Sequence, residues 1–258
     1  MNAQRKFAVA GGTGRVGRHV VDALESAGHE VVVMARSTGV DVISGDGLAE
    51  ALAGVEAIVD TSTQPTPDET AATEFFKTST HNLMTTGTAA GVQRMVVVSI
   101  VSADRFGGGY GAAVVEHERL AMAGPIPAVV LRATQFHEFV PELMEWGRRG
   151  DVIQVPEMRT QLIAAQTAGA ELAAIALDPS IEPGTIREVA GPREERLVDV
   201  ARLLADRRGE SARVEEVRDP SDPAGEAYAS GALLPGPDVT RAGPTFAEWL
   251  ESADRVAV

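Results

Sequence analysis

One stretch constrains this chain more than any other: Phe7-Ala-Val-Ala-Gly11-Gly12-Thr13-Gly14-Arg15-Val16-Gly17. A short apolar run ends in glycines at 11, 14 and 17. A segment with Val16, Val20 and Leu24 on one helical face follows and stops at Gly28. Gly11 permits a tight turn, Gly14 lets the backbone touch a pyrophosphate, and Gly17 lets the helix sit close on a sheet. The helix N-terminus supplies free N–H groups and partial positive charge for phosphates. A glycine triplet alone is a weak signal, but strand–turn–helix context turns it into a dinucleotide-binding signature. Thr13, Arg15 and Val16 lie within the same turn and are expected to contact the nucleotide with the three glycines.

Further apolar runs stand at Val31–Met34, Val40–Ile43, Ala57–Asp60, Met95–Ser99 and Ala128–Leu131. They are mostly continuous, as in strands buried on both faces of a parallel sheet. Helical spacings lie between them, so the chain reads as a doubly wound α/β protein. Residues 1–150 are expected to form the nucleotide-binding core. Residues 151–258 would form a smaller substrate-binding region packed on it in a single compact unit. There the rhythm loosens: Asp151–Val155 and Gln161–Ala164 read as short strands, Ala168–Leu177 and Leu197–Arg207 as helices. Residues 219–244 hold five prolines and four glycines and read as an irregular wrapping segment, before a short helix over Thr245–Leu250.

Composition narrows the partners. The formal charge of −14 disfavours nucleic acid and anionic membrane surfaces. No cysteine is present, which removes disulfides and thiolate chemistry. The five histidines show no metal-ligand spacing. With neither a signal-peptide pattern nor a long apolar run, a cytoplasmic protein acting on a small molecule is expected. The Phe75-Phe76 pair serves either the core or a subunit interface, the latter making a homodimer.

The end of the second run selects the cofactor. An NAD-selective site places a carboxylate about 20 residues on for the ribose 2′-hydroxyl. Here Val33-Met34-Ala35-Arg36-Ser37 has none. Arg36 offers a planar, permanently charged fork suited to a 2′-phosphate, with Arg15 helping from the turn, so NADP(H) is expected. Asp46, in Gly45-Asp46-Gly47, either accepts from the adenine amino group or forms a turn.

These residues resemble the atypical short-chain dehydrogenase/reductase superfamily in its NmrA-like, NAD(P)H-binding branch. The resemblance is carried by Gly11–Gly17, Met34-Ala-Arg36, Gly45-Asp46, Ala53–Ala57 and Val96-Val-Val-Ser99. It continues through Leu131–Phe136, Ala190-Gly-Pro192 and Phe246–Leu250. It implies a Rossmann-type core with a small C-terminal substrate-binding region. It fixes no substrate, because the branch includes ketone and quinone reductases, cofactor sensors and accessory subunits.

Reductases of that superfamily carry a serine at a strand end and a Tyr-x-x-x-Lys on the next helix. The tyrosine donates a proton, and the lysine binds the ribose and lowers the tyrosine pKa. Here Ser99 and Tyr110 match, but Val114 stands in the lysine position. Tyr110 is then either a hydrogen-bond donor to the substrate or a packing tyrosine. His117 shares its helix face but lies too far along to replace the lysine, and Glu116-His117-Glu118-Arg119 reads as a solvated face. His137 is either a proton donor or a wall or capping residue.

The reading that follows is an NADP(H)-dependent oxidoreductase acting on a carbonyl, quinone or enone. Tyr110, Ser99 and His137 are its catalytic candidates. Thr61 and Ser62 would lie along the ribose, and Gln135, Phe136 and His137 would line the substrate pocket. A non-catalytic NADP sensor or accessory protein is the rival, and an isomerase or cyclase on the same fold stands third.

Overall fold

The computed structural model describes residues 4–64, 66, 68–105, 108–218 and 225–253. The first strand, β1 (Lys6–Ala10), leads through the glycine turn into α1 (Gly17–Ser26) and β2 (Glu30–Met34). Then come α2 (Leu48–Ala51), β3 (Ala57–Asp60), α3 (Glu69–Ala90), β4 (Arg94–Ile100), α4 (Gly109–Ala123) and β5 (Ala128–Ala133). The later elements are α5 (Val140–Trp146), β6 (Arg148–Arg149), β7 (Val152–Pro156), β8 (Arg159–Thr160) and α6 (Ala165–Leu177). The chain continues through β9 (Ile186–Ala190), β10 (Glu195–Arg196), α7 (Leu197–Arg208) and β11 (Arg213–Val217). It closes with α8 (Gly225–Ser230), β12 (Thr240–Arg241) and α9 (Phe246–Ala253).

The main sheet runs β12-β9-β5-β4-β3-β1-β2, and every pairing in it is parallel. Because successive side chains point to opposite faces, each strand feeds two cores. Phe7, Val9, Val59 and Val96 pack with α1 and α6 on one side, while Ala8, Ala10, Ile58 and Val97 pack with α2, α3 and α4 on the other. This is the Rossmann-type doubly wound arrangement expected from the continuous apolar runs. Burial of each large side chain in these layers is worth roughly 1.5–3 kcal/mol. Ala10 pairs with both Met34 and Asp60, so Gly11, Ala35 and Thr61 emerge together at the carboxyl edge of the sheet. The order reverses between β2 and β3 around β1, and that reversal is where such sheets open a ligand crevice.

Three expectations about elements need correction. Val40–Ile43 is not a strand: the Asp41 carboxylate accepts from the Ile43 amide (2.7 Å), and Gly39 and Gly45 adopt positive φ on either side. That side-chain turn competes successfully with extension. Gln161–Ala164 is not a strand either. The Thr134 hydroxyl donates to the Gln161 carbonyl (2.6 Å), the Gln161 amide nitrogen donates to Gly191 (2.6 Å), and only Ile163 bridges, to Phe136. Within 219–244, the described residues include helix α8 and edge strand β12 as well as irregular backbone.

A further core joins α5, α7, α9 and β7 around Val140, Met144, Ile153, Leu204 and Phe246. A cut at residue 150 does not divide the layers, since α6, β9 and β12 belong to the main sheet and its helices. Among the described residues, no helix is long and apolar enough to cross a membrane.

Candidate cofactor and catalytic site

Gly11 takes φ +71°, accessible to glycine with little strain, and its amide donates to Met34 O (2.9 Å), tying the turn to β2. The Gly14 amide donates back to Gly11 O at 2.8 Å. A Cβ on Gly17 would collide with Gly11 O and stand 2.6 Å from Thr61 Oγ1. The glycine is therefore required by helix–strand contact. α1 begins without a side-chain cap, and the amides of Arg15, Val16 and Gly17 have no hydrogen-bond partner among the described residues. Thr13 and Gly14 are exposed. An open turn with unpaired amides at a helix N-terminus fits a dinucleotide pyrophosphate.

Arg36 opens a one-turn 3₁₀ segment (Arg36–Thr38) beyond β2, held by the Thr38 hydroxyl, which donates to Val33 O at 2.8 Å. Its side chain is exposed and makes no ion pair among the described residues. Arg15 differs, because its guanidinium is ion-paired with Glu142 on α5. Asp46 is exposed, and one of its carboxylate oxygens accepts from the Ser44 hydroxyl at 2.8 Å.

The end of β3 is densely bonded. The Thr61 hydroxyl donates to Ala10 O at 2.7 Å. The buried Asp60 carboxylate accepts from the Ser62 amide (2.9 Å) and hydroxyl (2.6 Å) through Oδ1, and its Oδ2 meets His117 Nε2 at 3.2 Å. Thr61 and Ser62 thus spend their hydroxyls inside the fold. His117 is 2% exposed and stacks on Phe76, with centroids 4.4 Å apart and planes 13° apart. Phe76 is therefore a core residue.

Tyr110 stands in the first turn of α4, which is capped by the Glu69 carboxylate accepting from the Gly109 amide at 2.7 Å. Its hydroxyl lies 2.6 Å from Thr63 Oγ1, and burial pushes the phenol above its ordinary pKa, with the Thr63 contact opposing that shift. Val114, in the lysine position, is buried with Phe76 and Ala113. Ser99 is buried and donates its hydroxyl to Glu118, which is held bidentately by Arg132 at 2.7 and 2.8 Å. The segment 116–119 is consequently not a solvated face. Only Glu116 and Arg119 pair outside, while His117 and Glu118 turn inward to partners on β3, β4 and β5.

His137 also departs from expectation. It is fully buried between Phe246 and Trp249, and its Nε2 contacts Pro244 O at 3.1 Å. Burial pulls its pKa down to about 4. A neutral imidazole with no solvent-facing surface neither lines an open pocket nor donates a proton near pH 7. It instead joins the β5 end to α9. Gln135 accepts from the Thr160 hydroxyl at 2.9 Å, and half-buried Phe136 packs against the α1–α6 core.

Residues 11–122 match the family profile described as NAD(P)H-binding. That part of the chain is therefore similar to an NAD(P)H-binding family, and it sits on a Rossmann-type fold. The segment runs from the glycine turn to the end of α4 and so contains both Tyr110 and the end of β3. The fold likeness extends to the whole chain. A short-chain dehydrogenase/reductase superfamily protein of Agrobacterium tumefaciens, solved with bound NAD, is 20% identical with a TM-score of 0.68, covering 97% of this chain and 96% of its own. A dTDP-glucose 4,6-dehydratase of Streptomyces venezuelae, solved with NAD, is 19% identical with a TM-score of 0.73 and the same two coverages, 97% and 96%. A UDP-N-acetylglucosamine 4-epimerase of Bacillus cereus is 18% identical, with a TM-score of 0.72, covering 98% of this chain and 96% of its own. No curated protein matches the sequence.

Four residues beside the glycine turn and Tyr110 escaped the sequence reading: Asp60, Thr63, Glu118 and Glu142. Asp60 had a signal, since it is a carboxylate closing an otherwise apolar strand. Thr63 had a weaker one, as the third hydroxyl in Thr61-Ser62-Thr63.

Proposed function

We propose that this chain is an NADP(H)-dependent oxidoreductase of the NmrA-like, atypical short-chain branch. Its substrate would be a carbonyl, quinone or enone of a small apolar molecule. The observation that carries the reading is the position of the Tyr110 hydroxyl, at the start of α4 and bonded to Thr63 in the loop after β3, on the same sheet edge as the glycine turn. When bound, the reduced dinucleotide supplies a hydride. The free amides of Arg15, Val16 and Gly17 would hold its pyrophosphate, and Arg36 its 2′-phosphate. The absence of a carboxylate at the end of β2 supports NADP(H), although similar folds are known with NAD bound. Tyr110, a phenol at neutral pH, would donate to the acceptor oxygen. A quinone suits this site best, because delocalisation of the developing charge lowers the demand for a tuned acid.

The test is a titration with NADPH, NADP⁺, NADH and NAD⁺, followed by NADPH consumption over a carbonyl and quinone panel. Preference for the phosphorylated pair, with turnover lost in Tyr110→Phe, supports the proposal. Binding of none of the four overturns it. A second reading, an NADP sensor without turnover, is favoured by two specific observations: Ser99 donates its hydroxyl to Glu118, and Val114 occupies the lysine position. Tight binding with no turnover across the panel, and a protein partner recovered with the cofactor-loaded chain, would favour that reading.

A further inference from the structure

α4 grips the end of β3 and the loop that follows it at two points along one face. His117 holds Asp60, and seven residues earlier Tyr110 holds Thr63. Between them, in the position four residues past the tyrosine, Val114 packs into hydrocarbon with Phe76 and Ala113. Phe76 backs both polar contacts, stacked on His117 and 6.0 Å from the Tyr110 ring. Asp60 Oδ1 accepts from both the amide and the hydroxyl of Ser62, which fixes the backbone immediately before Thr63. Thr63 itself is exposed, so its hydroxyl joins the half-buried phenol to solvent.

We propose that Thr63, where the lysine is absent, serves Tyr110 by a different route: it positions the Tyr110 hydroxyl and relays solvent protons to it. The Asp60–His117 pair acts behind it by fixing the strand end. This inference rests on the reading of Tyr110 as the proton donor. The step balances simply. When bound, the reduced dinucleotide would supply a hydride to the acceptor, whose oxygen takes the Tyr110 proton. The resulting tyrosinate takes the Thr63 hydroxyl proton, and Thr63 recovers one from water, so each turnover draws one proton from solvent. A hydroxyl can play this part because it donates and accepts at once, whereas an ammonium only donates. Among the described residues, three charged groups on the elements that hold the phenol have partners of their own: Glu69 of α3 the Gly109 amide, and Asp60 and His117 each other.

The chain has only two tyrosines, Tyr110 and Tyr228, so tyrosine labelled with ¹³C at Cζ gives two signals that Tyr228→Phe assigns. In that background, Thr63→Val is expected to move the Tyr110 signal at pH 7 and raise its titration midpoint by about 0.5–1 unit, the value of one hydrogen bond. Thr63→Ser should restore both. An unmoved signal and midpoint in Thr63→Val overturn the proposal, and the pH 7 signal alone decides if the fold is lost before the phenol titrates. NADPH consumption with an ortho-quinone separates this from the parent reading. Thr63→Val should lower kcat about tenfold with KM unchanged, and Tyr110→Phe by roughly a hundredfold or more. Loss in Tyr110→Phe but not in Thr63→Val sinks the relay alone. Retention in both sinks the role of Tyr110 as donor as well.

Discussion

Arg36 and Arg15 are both cations beside the glycine turn, yet their surroundings differ. Arg36 is exposed and unpaired among the described residues, while Arg15 is engaged by Glu142 across to α5. Arg36→Ala is therefore expected to weaken NADP(H) binding roughly ten- to a hundredfold and leave NAD(H) unchanged by calorimetry, since a charged hydrogen bond is worth about 1.5–3 kcal/mol. Glu142→Gln acts in the other direction. It frees Arg15 for the phosphates and tightens all four nucleotide forms by about two- to fivefold, the scale of a partly exposed ion pair. His137 supplies a pH signature. Its folded pKa of about 4 lies below its ordinary 6.5, so between those values the unfolded chain binds the extra proton and stability falls as pH drops. His137→Gln should flatten that acid slope in urea denaturation followed between pH 7 and pH 4. The sequence placed His137 at the correct strand end but could not show the aromatic pair of α9, more than a hundred positions later, closing over it.

Among elements, α4 is held to the sheet by buried polar contacts as well as by hydrocarbon. Its Glu118 carboxylate, joined to Arg132 of β5 and Ser99 of β4, is a buried charge whose partner cannot be removed cheaply. Arg132→Met should cost about 3–5 kcal/mol in urea denaturation, and adding Glu118→Gln should recover most of it, because the stranded charge is gone. The glycine turn is equally exacting: Gly17→Ala should cost about 1–3 kcal/mol through overpacking and abolish nucleotide binding. These elements differed in how legible they were. β1, β3, β4 and β5 announced themselves as continuous apolar runs, a pattern that survives because both faces are covered. Val40–Ile43 showed the same residue types, but Asp41 between flanking glycines won locally. The run 116–119 looked solvated because charge patterning shows polarity and not partners. Asp60 and Arg132 lie opposite it only once β3 and β5 are in the sheet.

At the scale of the molecule, the fold and the geometry of its glycine turn were readable because they depend on local rules of glycine, apolar runs and helical spacing. The tyrosine's surroundings depend on contacts between distant segments, which a single sequence does not display. A thermal-shift measurement tests the nucleotide site as a whole. NADPH at a hundred times its Kd adds about 2.7 kcal/mol, which for a chain of this size raises the midpoint by roughly 5–10 °C. An unmoved midpoint at millimolar NADPH would contradict the site.

The interleaving of the two halves also matters during synthesis. Residues 1–150 leave one face of the sheet without α6, and β5 without its neighbour β9. As the ribosome emits them, they present an apolar layer covered by α1 alone and an open strand edge, both prone to self-association. The nascent N-terminal half must then wait for roughly forty further residues before that layer closes. A fragment ending near residue 150 should accumulate in the insoluble fraction, and one ending beyond β12 should not.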